Sequence, residues 1–122
     1  MSRFIAVLTA VLVSGCAGLG QIESVSDLSS QQLKQVNSIK LYENDAGLKY
    51  TSLGKIKGLS CKGSALSSTA EKEEAMMQLK IKAVKAGANA ILYPTCSHDA
   101  SVDWSNNCWD SWVCVGEAIV TE

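Results

Sequence analysis

The chain is 122 residues long with 47% hydrophobic content, which suits one compact domain with a single core and excludes a disordered chain. Lysine and arginine total 11 against 12 acidic residues, and a formal charge of -1 makes no broad field toward nucleic acid or an acidic membrane surface. No Walker loop, dinucleotide fingerprint or basic aromatic platform is present, so neither a nucleotide cofactor nor a nucleic-acid partner is expected.

The first residues differ in character from the rest. Arg3 supplies a positive start, Phe4 to Val13 is an apolar run, and small residues follow at Ser14 and Gly15. Residues 1–15 therefore read as a signal peptide, because a spanning helix needs about 20 apolar residues. Val13-Ser14-Gly15-Cys16 resembles the lipobox of bacterial lipoproteins, in which the cysteine is lipidated and becomes the first mature residue. Cys16 is thus the expected lipidation site, and acyl chains worth about 0.8 kcal/mol per buried methylene hold such a protein on a bilayer. Ala17 stands where an aspartate favours inner-membrane retention in enterobacteria-like sorting, so the resemblance implies the outer membrane, with the domain facing the periplasm.

Residues 16–37 are rich in serine and glutamine and read as a lipid-anchored flexible tether. Within them Ser29 and Gln32 fit a capping box, and a short helix from Ser29 to Val36 puts Leu33 and Val36 on one face. Residues 38–122 read as the folded domain. Ser38 to Tyr42 alternates polar and apolar side chains as a first strand, and Asn44 to Gly47 makes a turn. Tyr50 to Lys57 reads as a second strand, with Cys61 in a following loop and Gly63 to Ser68 as a connection of small polar residues.

Ser68-Thr69-Ala70-Glu71 is a capping box opening a helix that stops near Gly87. Its apolar side carries Met76, Met77, Leu79, Ile81, Ala83, Val84 and Ala86, while Glu71, Glu74, Gln78, Lys82 and Lys85 gather on the other and Lys80 lies at the margin. Asn89 to Tyr93 reads as a buried strand ending at Pro94, with Cys96 just past it. Ser97 to Ser111 is a long polar loop, and Trp112 to Val120 alternates as the last strand. The fold class is α+β: a small four-stranded sheet with one main covering helix, in the order strand, strand, helix, strand, strand.

Setting Cys16 aside leaves Cys61, Cys96, Cys108 and Cys114, an even set in an exported domain, for which two disulfides are expected. Four cysteines permit three connectivities, including a local Cys108–Cys114 loop, and spacing does not choose among them. A zinc site drawn from Cys96, His98, Cys108 and Cys114 competes, but structural zinc sites use tight C-x₂₋₄-C pairs, so no metal is expected. His98, the only histidine, reads as a strand-end surface residue. Asp99, Asp103 and Asp110 lack the regular spacing of a calcium loop and read as solvated surface. With no nucleophile beside an acid-base partner, the protein is not expected to be an enzyme. Trp104, Trp109 and Trp112 stand out in this polar region. Either the indoles pack over the bridges, or some stand exposed as anchors for a protein partner; Trp112 is the core candidate, Trp104 and Trp109 the partner-binding ones.

From about Asn37 to Glu122 the chain resembles the RcsF family, outer-membrane sensor lipoproteins of the Rcs envelope-stress phosphorelay. The resemblance is carried by Ile39-Lys40-Leu41-Tyr42, Leu53-Gly54, Cys61, the helix leading to Ala88-Asn89-Ala90-Ile91-Leu92, Thr95-Cys96, Cys108 and Val113-Cys114-Val115-Gly116. It implies an α+β domain with non-consecutive bridges, Cys61 with Cys108 and Cys96 with Cys114, which close loops worth about 4 and about 3 kcal/mol in the chain-entropy model. It also implies no catalysis and no cofactor. The implied partners are outer-membrane β-barrel proteins, the barrel-assembly machinery and, under stress, an inner-membrane regulator resembling IgaA, whose inhibition of the phosphorelay is relieved by contact. The chain departs from the family in its tether, where a proline-rich basic segment is expected and Ala17 to Asn37 has no proline and only Lys34 as a cation. Two other functions suit the same fold: a structural periplasmic lipoprotein, and a small-ligand or metal-binding module using His98 and the acidic loop.

Overall fold

The computed structural model describes residues 27–62, 70–99 and 108–122. The expected signal peptide, the connection at Gly63 to Ser68 and the centre of the tryptophan-bearing loop lie outside them. Six elements follow in chain order: α1 (Ser30–Ser38), β1 (Lys40–Tyr42), β2 (Tyr50–Lys62), α2 (Lys72–Lys85), β3 (Ala90–Asp99) and β4 (Asp110–Thr121). The strands form one sheet in the order β1-β3-β4-β2. β1 runs parallel to β3, while β4 pairs antiparallel with both β3 and β2.

The capping box of α1 forms as its sequence dictates: Gln32 N–H donates to Ser29 Oγ at 3.1 Å, and Ser29 N–H donates to Gln32 Oε1 at 3.0 Å. Val36 is fully buried against α2, whereas Leu33, expected on the same face, stays exposed. The last residues expected to be tether are therefore packed on the domain.

β2 and β3 are both longer than their local sequence suggests, because each is carried by pairing with β4. β2 pairs with it from Tyr50, opposite Thr121, to Lys62, opposite Asp110. Cys61 thus lies in a strand facing Ser111, a correction to its expected place in a loop. β3 likewise passes through Pro94, and Cys96 lies within it. Proline has no N–H for a ladder, and the strand accommodates it with a bulge: Tyr93 and Pro94 together fall between the Leu92–Glu117 and Thr95–Val115 pairs. β4 likewise starts at Asp110, two residues before the expected Trp112.

α2 starts later than expected, at Lys72, and its N-cap Glu71 makes no side-chain cap bond. Ser68 and Thr69 lie outside the described residues, so the capping box expected there is not part of the observed helix start. A serine from another element does the work instead. Ser60, buried on β2, accepts the Glu71 N–H at 3.0 Å and donates its hydroxyl to the Glu74 carboxylate at 3.1 Å. Ser60 thus stands between the N-cap N–H and the N3 carboxylate, two groups that a capping box joins directly. At the other end Gly87, at φ 90°, allows a Schellman closure in which Gly87 N–H bonds Val84 O and Ala88 N–H bonds Ala83 O.

One face of α2 lies on the sheet and another meets α1, so its buried surface is wider than a simple stripe. Gln78, expected on the solvent side, is buried. The main core joins Val36, Ala75, Leu79 and Ile81 to Ile91 and Cys114. Helix and strand approach closely at Gly58, where an added Cβ would run into Ala75 O and Leu79 N of the α2 backbone. On the opposite face of the sheet Ala90, Leu92 and Ile119 form a smaller cluster with Tyr42, Leu48 and Tyr50. Among the described residues no helix is long and apolar enough to cross a membrane.

Candidate functional site

The chemistry-bearing residues gather where β2 and β3 end and β4 begins. Cys61 is bonded to Cys108 with Cα atoms 5.4 Å apart, and Cys96 to Cys114 with Cα atoms 4.0 Å apart. This is the pairing that the family resemblance implies. Residues directly opposite in adjacent strands share a face and successive residues alternate. Cys96 and Cys114 stand opposite each other beside Gly58, on the face that α2 covers, with Cys114 fully buried and its sulfur 3.9 Å from Lys72 O. Cys61 is paired with Ser111 and so belongs to the other face. The two bridges thus bind the same end of the sheet from opposite sides. With all four sulfurs in S–S bonds, no thiolate remains for the zinc arrangement drawn from Cys96, Cys108 and Cys114.

Ser60, Trp112 and His98 form a row across β2, β4 and β3 at the N-terminal end of α2. His98 Nε2 lies 2.7 Å from Asp110 Oδ1, and its ring is 5.0 Å from the Trp112 ring at a tilt of 33°. Asp110 is therefore the partner of the only histidine, a correction to its expected role as solvated surface. Its position two residues before Trp112 places it diagonally from His98 across the ladder, a relation visible only once the register is known. Among the described residues no three metal-ligating side chains converge.

The two tryptophans among the described residues differ in burial, Trp112 lying within β4 and Trp109 just before it. Trp112 is half-buried and packs against the main core. Trp109, adjacent to the fully buried Cys108, is 53% exposed and presents its indole outward. Trp104 and Asp103, like the expected lipidation site Cys16, lie outside the described residues.

A feature that the sequence reading missed is Tyr93, at φ 55° immediately before Pro94. Partial loss of solvent around its phenol, hydrogen bonding toward Asp45 and the Asp45 charge, with Tyr50 nearby, raise its pKa above the ordinary tyrosine value. The only proline in the chain was the available signal, since it marks the place where a strand must bulge or end.

Residues 19–122 match the RcsF lipoprotein family. Two curated relatives, the outer membrane lipoproteins RcsF of Escherichia coli K12 and of Escherichia coli O6:H1, are each 26% identical over 125 residues, covering 92% of this chain and 91% of the relative. A match running from the serine-rich segment to the last residue, on a domain with both expected disulfides, shows that the chain belongs to the RcsF lipoprotein family.

Proposed function

We propose that this outer-membrane lipoprotein senses envelope stress and activates an Rcs-type phosphorelay by protein contact in the periplasm. The family match over residues 19–122 carries the reading. The matching family is one of lipoproteins rather than enzymes. In this reading residues 1–15 are the signal peptide, Cys16 takes the acyl chains, and the braced domain is the part shown to partners. Those partners are an inner-membrane regulator resembling IgaA, together with outer-membrane β-barrel proteins and the barrel-assembly machinery. Physically the protein is a tethered ligand, whose encounters are governed by effective concentration rather than free diffusion.

The test is induction of a phosphorelay reporter under envelope stress. Deletion is expected to abolish induction, the intact gene to restore it, and Cys16→Ser to fail because the product leaves the membrane. Unchanged induction in the deletion strain would overturn the signalling role and leave a structural lipoprotein.

A further inference from the structure

α2 covers one face of the sheet. On the face that it leaves bare, strand register sets Lys55 in a row with Glu117 and Leu92, and Lys57 in a row with Val115 and Thr95. Between β2 and the bulge of β3, these rows border an open groove of about 650 Å³ running over β4. Its floor is apolar, with Val115 44% exposed beside Gly116 and the buried Leu92.

One wall of the groove is the lysine pair, and neither ammonium makes an ion pair among the described residues. The other wall is Tyr93, 47% exposed. A bulky residue with positive φ is unusual, and one directly before a proline is restricted further, so the bulge holds Tyr93 in a conformation that the chain does not prefer. Conformations of this kind concentrate where a protein grips something. Here the outcome is an aromatic ring beside an apolar floor, in a groove also lined by Lys57, which makes no ion pair among the described residues, and by Lys55, which stands opposite Glu117.

We propose that this groove docks an extended acidic segment of a partner protein, with an aliphatic side chain on Val115 beside Tyr93 and carboxylates reaching Lys57 and Lys55. The idea rests on the protein-contact reading given above and names the surface that makes the contact. Charge complementarity selects the occupant. With Lys55 opposite Glu117, Lys57 is the cation of the groove that makes no ion pair among the described residues, and a neutral or basic segment would strip water from it without replacing it. Glu117, opposite Lys55, leaves Lys57 as the stronger anchor. A bilayer surface is flat and cannot reach a concave floor, which favours a peptide over anionic lipid. The row of Cys96 and Cys114 adjoins the row of Lys57, Val115 and Thr95, so the groove is formed before its occupant arrives and little ordering remains to oppose binding.

The experiment titrates the isotopically labelled mature lipoprotein in neutral micelles with acetyl-Leu-Glu-Val-Asp-Leu-amide, with its isostere acetyl-Leu-Gln-Val-Asn-Leu-amide, and with phosphatidylglycerol vesicles, following the Val115 methyl and Thr95 amide resonances. The acidic peptide is expected to bind at least about tenfold more tightly than the isostere, with the preference lost on raising salt and in Lys57→Glu but kept in Lys57→Arg. Tyr93→Ala is expected to weaken binding of the acidic peptide. Equal response to both peptides, no response to either, or response to vesicles alone overturns the proposal. In cells Lys57→Glu is expected to lower reporter induction severalfold at unchanged protein level. If deletion abolishes induction while Lys57→Glu signals normally and the acidic peptide does not bind, the groove is rejected and the signalling role stands.

Discussion

The hydroxyl of Ser60, in a strand, is bonded to the carboxylate of Glu74, in the first turn of α2, at 3.1 Å, while accepting the Glu71 N–H that opens that helix. One buried side chain thereby fixes where α2 begins and how it sits on the sheet.

Ser60→Ala is expected to cost about 1–2 kcal/mol, the usual range for a lost cap, because Glu71 N–H loses its acceptor. Glu74→Gln keeps an oxygen within reach of Ser60 and is expected to cost less. Urea midpoints of the two variants, compared at unchanged slope, check the order.

Two glycines make opposite demands. Gly58→Ala drives a methyl into the backbone of α2 at Ala75 and Leu79, where nothing can rotate away, and is expected to cost about 3 kcal/mol or more. Gly47 has open space around it and matters only for its φ of 68°, so Gly47→Ala is expected to cost about 1 kcal/mol. Thermal melts showing the two variants equally stable would contradict this packing.

Replacing both members of a bridge avoids leaving a stray thiol. The Cys61–Cys108 pair closes the longer loop, with a separation of 47 against 18, and its removal is expected to cost about 4 kcal/mol against about 3 kcal/mol for Cys96–Cys114. Peptide mapping without reductant checks the connectivity, and denaturation of the double-alanine variants checks the ranking.

Tyr93 gives the fold a mild alkaline sensitivity. Its raised pKa means that the folded state favours the protonated phenol, so this contribution is complete below the ordinary tyrosine value near pH 10 and is lost as pH rises through the higher folded value. Asp45→Asn removes the negative charge beside it and is expected to bring the Tyr93 step down toward the ordinary range in a tyrosinate absorbance titration.

Much of this was legible in the chain because local chemistry and fold agree. The Ser29 and Gln32 box, the Gly87 stop, the alternation of Ile39 to Tyr42 and the even set of cysteines all act over short distances. The parts that were not legible are made by distant partners. β2 continues through Cys61 because β4 is long enough to pair with it, and β3 survives Pro94 because one bulge absorbs the missing donor. Gln78 reads as solvent-facing on a helical wheel with one buried side, but it is buried in a helix that packs on both the sheet and α1. His98 meets Asp110 through ladder register, which no spacing along the chain reveals.

The seating of Val36 against α2 sets how far the domain travels. If Cys16 carries the anchor, as proposed, a fully stretched connection to Leu28 covers at most about 40 Å, against about 70 Å if everything to Asn37 paid out freely. On that anchorage the domain would patrol a shallow layer next to its own bilayer. The neighbours it would touch first are those embedded in that bilayer, and a partner rooted on the far side of the compartment would have to lean across to meet it.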